Sequence, residues 1–174
     1  MMNRIVKYIT LGTIIIICQA LLSEYVNIWA LLYFAIFPQF IILLPTAMNR
    51  SLYMLTAFAL GLCIDLFSDG ILGLNAAALV AMAYARPFVL KFTLPKGNFD
   101  NNENAPLTPR TIEITSLTLI TALMLAVFFT VYILMDSAAS FTLGYTILKL
   151  AVCITANTLV SILLNLTLLD KIFR

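Results

Sequence analysis

Apolar runs long enough to cross a bilayer fill most of this chain, and its positive charges collect in alternate gaps between them. The runs are 5–22, 28–48, 51–67, 71–90, 114–135 and 141–169. About 20 mostly apolar residues make a transmembrane helix, because a rise of about 1.5 Å per residue then covers a hydrocarbon core about 30 Å thick. Only 10% of the 174 residues are charged and 63% are hydrophobic. A soluble domain carries about 25% charged residues, so this chain lacks the polar surface for one. The expected fold is all-α: a polytopic integral membrane protein, one domain over 1–174, built as a six-helix transmembrane bundle.

Cytoplasmic loops are enriched in Lys and Arg. With the N-terminus inside, six spans return the C-terminus to the inside. Arg4, Lys7, Arg50, Arg86, Lys91, Lys96, Arg110, Lys171 and Arg174 then form the inside set. The outside gaps hold Glu24, Asp69 and Asp136 and no Lys or Arg. Arg4 and Lys7 ahead of an apolar stretch also suit a signal peptide, but Ser23-Glu24-Tyr25 offers no small-x-small cleavage site, so a retained first helix is expected. Pro38 and Pro45 predict a bent or broken second span, since proline removes a backbone donor. The third span is short and the fourth opens with Gly73, so a tight hairpin around Ser68-Asp69-Gly70 is expected. The loop 91–113, polar and proline-containing, reads as a cytoplasmic linker.

The residue inventory excludes several chemistries. There is no histidine, hence no HExxH site, Ser-His-Asp triad or imidazole relay. Cys18, Cys63 and Cys153 lie singly in apolar runs and read as buried apolar residues. No Walker A, GxGxxG or GxSxG pattern occurs, no cofactor is implied, and no basic cluster suits nucleic acid. Asp65 and Asp136 have the makings of an intramembrane aspartyl dyad, but without the Asn and Gly motifs of lipoprotein signal peptidases.

Ionisable groups inside a membrane are costly and therefore informative. Asp65, near the outer end of the third span, reads either as an interfacial carboxylate or as a buried one fastening that span to a neighbour. Lys149, about two turns into the sixth span, either snorkels outward or turns toward protein. The row Tyr145, Lys149, Cys153, Asn157, Ser161 favours the second reading. With Asn75, these groups are expected to share one polar network in the outer leaflet. Ala76-Ala77-Ala78, Ala81, Ala83 and Ala85 make the fourth span thin and predict a central packing position.

The passage from Gly61 through Asp65-Leu66-Phe67 to Gly73-Leu74-Asn75-Ala76, continued by Ala83-Tyr84-Ala85-Arg86-Pro87, resembles the core motif of the rod shape-determining protein MreD family, in its Bacteroidota-like branch. The motif similarity covers about thirty residues; length and span count agree over the whole chain. The resemblance implies a non-enzymatic scaffold of the bacterial inner membrane. Such a scaffold binds an MreC-like bitopic protein and, through it, couples MreB filaments to RodA and a penicillin-binding transpeptidase, maintaining cell shape during peptidoglycan synthesis. It also implies an architecture similar to the substrate-binding S components of energy-coupling-factor vitamin transporters, which supply the alternative function. Against that alternative, the first span is bulky and β-branched where S components carry an Ala-x-x-x-Ala-like motif. The apolar surfaces of the first two spans, with the Pro38 bend, are the expected docking face.

Overall fold

The structure is a computed structural model that describes residues 2–26, 32–45, 48–67, 71–94, 112–136 and 143–166. Among them the regular elements are all helices: α1 (Met2–Val26), α2 (Pro38–Leu43), α3 (Arg50–Phe67), α4 (Leu74–Thr93), α5 (Ile114–Asp136) and α6 (Leu143–Leu164). Five of these, all but α2, are long and apolar enough to cross a membrane. The chain is thus a multi-pass, all-α membrane protein. The Ser68-Asp69-Gly70 turn, most of the 91–113 loop, and Lys96, Arg110, Lys171 and Arg174 lie outside the described residues.

Along α6 the pattern of burial is inverted relative to a soluble protein. The inward residues of α6 are Thr146, Cys153, Asn157 and Ser161, followed by Asn165. Its outward residues include Leu148, Leu159 and Leu163. Lipid is as good a solvent for leucine as a protein core, so apolar side chains gain little by turning inward, whereas polar ones must. Tyr145, expected in the polar row, is exposed, and Thr146 takes the inward place. The thin helix α4 sits between α3 and α5, packing on both. Buried Ala76, Ala78 and Ala83 permit that approach. Gly61 shows how close it is: a Cβ there would lie 2.7 Å from the backbone nitrogen of Ala76 and 3.0 Å from its Cβ.

The second apolar run, 28–48, is broken rather than continuous. Residues 32–36 are non-helical, Pro38 opens the six-residue helix α2, and the helix stops at Leu43. Proline at the first helical turn costs no hydrogen bond, which suits Pro38 as a start signal. Phe37, Ile41, Ile42 and Leu43 are fully buried. The expectation that the Pro38 bend forms part of a lipid-facing docking surface is therefore corrected. Breaking a helix frees backbone N–H and C=O groups, and these cannot face lipid without several kcal/mol of cost.

The broken segment threads the bundle lengthwise. Tyr33 lies against Cys153, Ala35 against Asn157 and Gln39 against Ser161, descending α6. Along α4, Tyr33 lies by Asn75, while Leu44 and Pro45 lie by Arg86. Eleven helical residues between those two levels correspond to roughly 16 Å of axial travel.

Candidate functional site

Three polar constellations hold this arrangement together, and each begins from a backbone that needs partners. The first is the α3–α4 hairpin. The initial N–H groups of a helix have no intrahelical acceptor. Asp65, at the end of α3 and 3% exposed, supplies one from another helix. Its Oδ2 accepts the N–H groups of Gly73 at 2.9 Å and Ala76 at 3.2 Å. Its Oδ1 accepts the backbone N–H of Asn75 at 3.1 Å and the side-chain Nδ2 of Asn75 at 2.9 Å. Leu74 N–H donates to Ile71 O, and Ala77 N–H to Gly73 O, so the first turn of α4 is fully satisfied. The carboxylate also faces the positive end of the helix dipole. Gly73 makes the turn with φ +92°, a left-handed conformation that glycine adopts without steric penalty. Gly61, Asp65, Gly73 and Asn75 thus form one compact lock.

The second constellation clamps residues 33–36. Asn157 of α6 accepts the Ala35 N–H at 2.8 Å and donates to Tyr33 O at 2.8 Å. On the opposite edge, Gln19 of α1 accepts the Ile36 N–H at 2.9 Å and donates to Phe34 O at 2.9 Å. Two carboxamides thereby play the part of two neighbouring β-strands, using alternate residues on alternate edges. Tyr33 N–H donates to Cys153 Sγ at 3.5 Å. Below the clamp, Ser161 donates to Gln39 Oε1. The Tyr33 ring stacks on Tyr132, centroids 4.7 Å apart.

The third constellation ends α2. Arg86, 5% exposed within α4, donates to the carbonyls of Ile42 at 3.3 Å and Pro45 at 3.4 Å and to that of Leu44. A guanidinium presents five donors in a fixed fork, which suits several diverging carbonyls. Its Cζ lies over the Tyr53 ring, 4.5 Å from the centroid, and the Tyr53 hydroxyl donates to Ile41 O. The sequence places Arg86 in the inside set, toward the cytoplasmic end of the fourth span. The structure continues the helix through Pro87 to Thr93 and buries the Arg86 side chain against α2.

The structure separates the expected polar network into parts. Asp65 and Asn75 are joined directly. Lys149 instead pairs with Asp136 at the end of α5, Nζ to Oδ2 3.1 Å. The pairing of Lys149 with Asp65 is corrected for a simple reason: the four donors at the head of α4 already fill both oxygens of Asp65. Asp65 and Asp136 thus have different hydrogen-bond partners.

Gln19 and Gln39 were missed in the sequence. The available signal was a carboxamide ending the run Ile14-Ile15-Ile16-Ile17-Cys18, and another directly after Pro38. A search for charge alone passes over both. The described residues contain no group of His, Cys, Asp and Glu suited to a metal ion. No protein-family model, curated protein or solved structure matches the chain.

Proposed function

We propose that this protein is a non-enzymatic scaffold of the cell-elongation machinery, resembling the MreD family, that holds an MreC-like bitopic protein in the bacterial inner membrane. Through that partner it helps couple MreB filaments to RodA and a penicillin-binding transpeptidase. One observation carries the reading beyond the motif itself. Gly61, Asp65, Gly73 and Asn75, which carry the resemblance, are spent on internal structure, locking α3 to α4. A motif used this way favours a rigid platform whose outer faces meet other membrane segments. α1 and α6 offer such faces, with Ile9, Ile14, Ile17 and Leu21 exposed on one and Leu148, Leu159 and Leu163 on the other.

In this reading the broken 28–48 segment is a sixth crossing, both termini are cytoplasmic, and the bundle is similar to energy-coupling-factor S components. The axial travel of Tyr33 to Pro45 along α4 supports a crossing. The Lys/Arg asymmetry supports the orientation.

Depletion in an elongated host tests the proposal. Cells are expected to round or widen, and a fluorescent fusion of the MreC-like partner to disperse from its normal sites. Unchanged cell width with an undisturbed partner contradicts the scaffold role.

A further inference from the structure

At the end of the bundle where α3 starts and α4 stops, a cavity of about 410 Å³ is lined by Met48, Arg50, Tyr53, Arg86, Pro87 and Lys91 among others. Three of its residues are cations, and among the described residues no carboxylate lines it. Arg86 forms the buried end. Its three hydrogen bonds go to neutral carbonyls through Nη1 and Nη2, while its Nε, also buried, has no partner among the described residues. A buried guanidinium thus keeps its positive charge and an unused Nε donor beside a cavity. Carbonyls and the Tyr53 ring reduce the cost of that burial but do not neutralise it. Arg50 and Lys91 stand at the exposed rim. Arg50 opens α3, so this rim also holds the N-terminus of an 18-residue helix, whose first N–H groups lack intrahelical acceptors.

We infer that this cavity binds the phosphate headgroup of an anionic phospholipid. Phosphate is the anion whose several oxygens fit a guanidinium fork, an ammonium and helix-terminal N–H groups together. The surroundings select a lipid as its carrier. Arg50 lies 4.3 Å over the Tyr84 ring and 5.9 Å from that of Phe88. Tyr84, Phe88 and Phe92 are exposed along the outside of α4, and aromatic rings at this level mark the membrane interface. The walls, Met48, Ala83, Pro87 and Leu90, are apolar and suit the glycerol and upper acyl region. From Ala83 to Lys91 the site spans roughly 12 Å of α4, a depth suited to a headgroup and its ester region. Assignment to the cytoplasmic leaflet rests on the orientation proposed above; the binding of an anionic lipid does not.

The test is native mass spectrometry of the delipidated full chain, titrated with phosphatidylglycerol or phosphatidylcholine. Preferential retention of phosphatidylglycerol is expected. Arg50→Gln and Lys91→Gln, at exposed positions, should each weaken it about fivefold, as expected for one cation near an anionic headgroup. The double variant should lose most of the preference while remaining folded, as its melting curve checks. Equal retention of the two lipids, or an undiminished preference in the folded double variant, overturns the inference. So does phosphatidylglycerol displaced fully by millimolar inorganic phosphate, which would mark the site as one for free phosphate. None of these outcomes depends on cell shape or on a protein partner, so the lipid site and the scaffold role fail separately.

Discussion

Asn157 meets Ala35 as a neighbouring β-strand would, accepting its N–H at 2.8 Å while donating to the carbonyl of Tyr33 at the same distance. This pairing, with Gln19 on the other edge, explains how a non-helical stretch is tolerated inside a membrane protein. Non-helical backbone at membrane depth survives only where protein or water satisfies it. Here two side chains from helices far apart in sequence do so. The consequence is that residues 33–36 depend on two carboxamides, Gln19 and Asn157, for their backbone hydrogen bonds.

Asn157→Leu is therefore expected to strand one N–H and one C=O of the broken segment and to destabilise the protein by roughly 1–3 kcal/mol. Gln19→Leu should cost a similar amount. Thermal unfolding in detergent checks this, with Thr155→Val as a control, since the Thr155 hydroxyl bonds only within its own helix. Equal melting temperatures for Asn157→Leu and the control would show that the clamp is dispensable.

Gly61→Ala should be far more harmful than Gly144→Ala. At Gly61 the added carbon would press on the α4 backbone at Ala76, and neither helix can yield without moving the Asp65 lock. A cost of about 1–3 kcal/mol is typical of such overpacking. At Gly144 nothing lies within 4 Å of the added carbon, and alanine is the better helix former. Chemical denaturation of both variants should show opposite signs or, at the least, a clear gap.

Arg86→Lys is expected to behave as a loss of function for the α2 end rather than as a conservative change. One ammonium cannot serve three diverging carbonyls, and the Tyr53 contact is weaker without a planar cation. Limited proteolysis between residues 43 and 50 should accelerate in Arg86→Lys. A cleavage pattern identical to that of the parent protein would contradict the capping role.

For Lys149, the structure predicts energetic coupling with Asp136 and none with Asp65. The Lys149–Asp136 pair is partly exposed, so its coupling should be modest, about 0.2–1 kcal/mol, and should fall with added salt. Double-mutant cycles with Lys149→Met, Asp136→Asn and Asp65→Asn separate the two cases. A larger coupling for 65–149 than for 136–149 would restore the single outer network.

The sequence made the membrane class legible because it rests on length and composition, which tertiary packing cannot alter. The α3–α4 hairpin was legible as well: Asp65, Gly73 and Asn75 lie within eleven residues, close enough for local spacing to bring them together. The broken segment was only half legible. Pro38 marked where helix structure fails, but not what replaces it. The partners of residues 33–36 come from Gln19 and Asn157, more than 120 residues apart from each other, and no local pattern joins them. The partner of Lys149 is hidden in the sequence for a related reason. Asp65 and Asp136 both suit a cation at that depth, and only the packing of α5 on α6 decides between them.

The central claim, that the chain works by holding a bitopic membrane partner, is tested most directly by co-purification. The protein, tagged and extracted in mild detergent from its own host, should bring down the MreC-like protein at near-stoichiometric yield, and its melting temperature should not respond to vitamins. A chain recovered without that partner, together with a reproducible thermal shift on adding one vitamin, would contradict the account and favour the S-component reading.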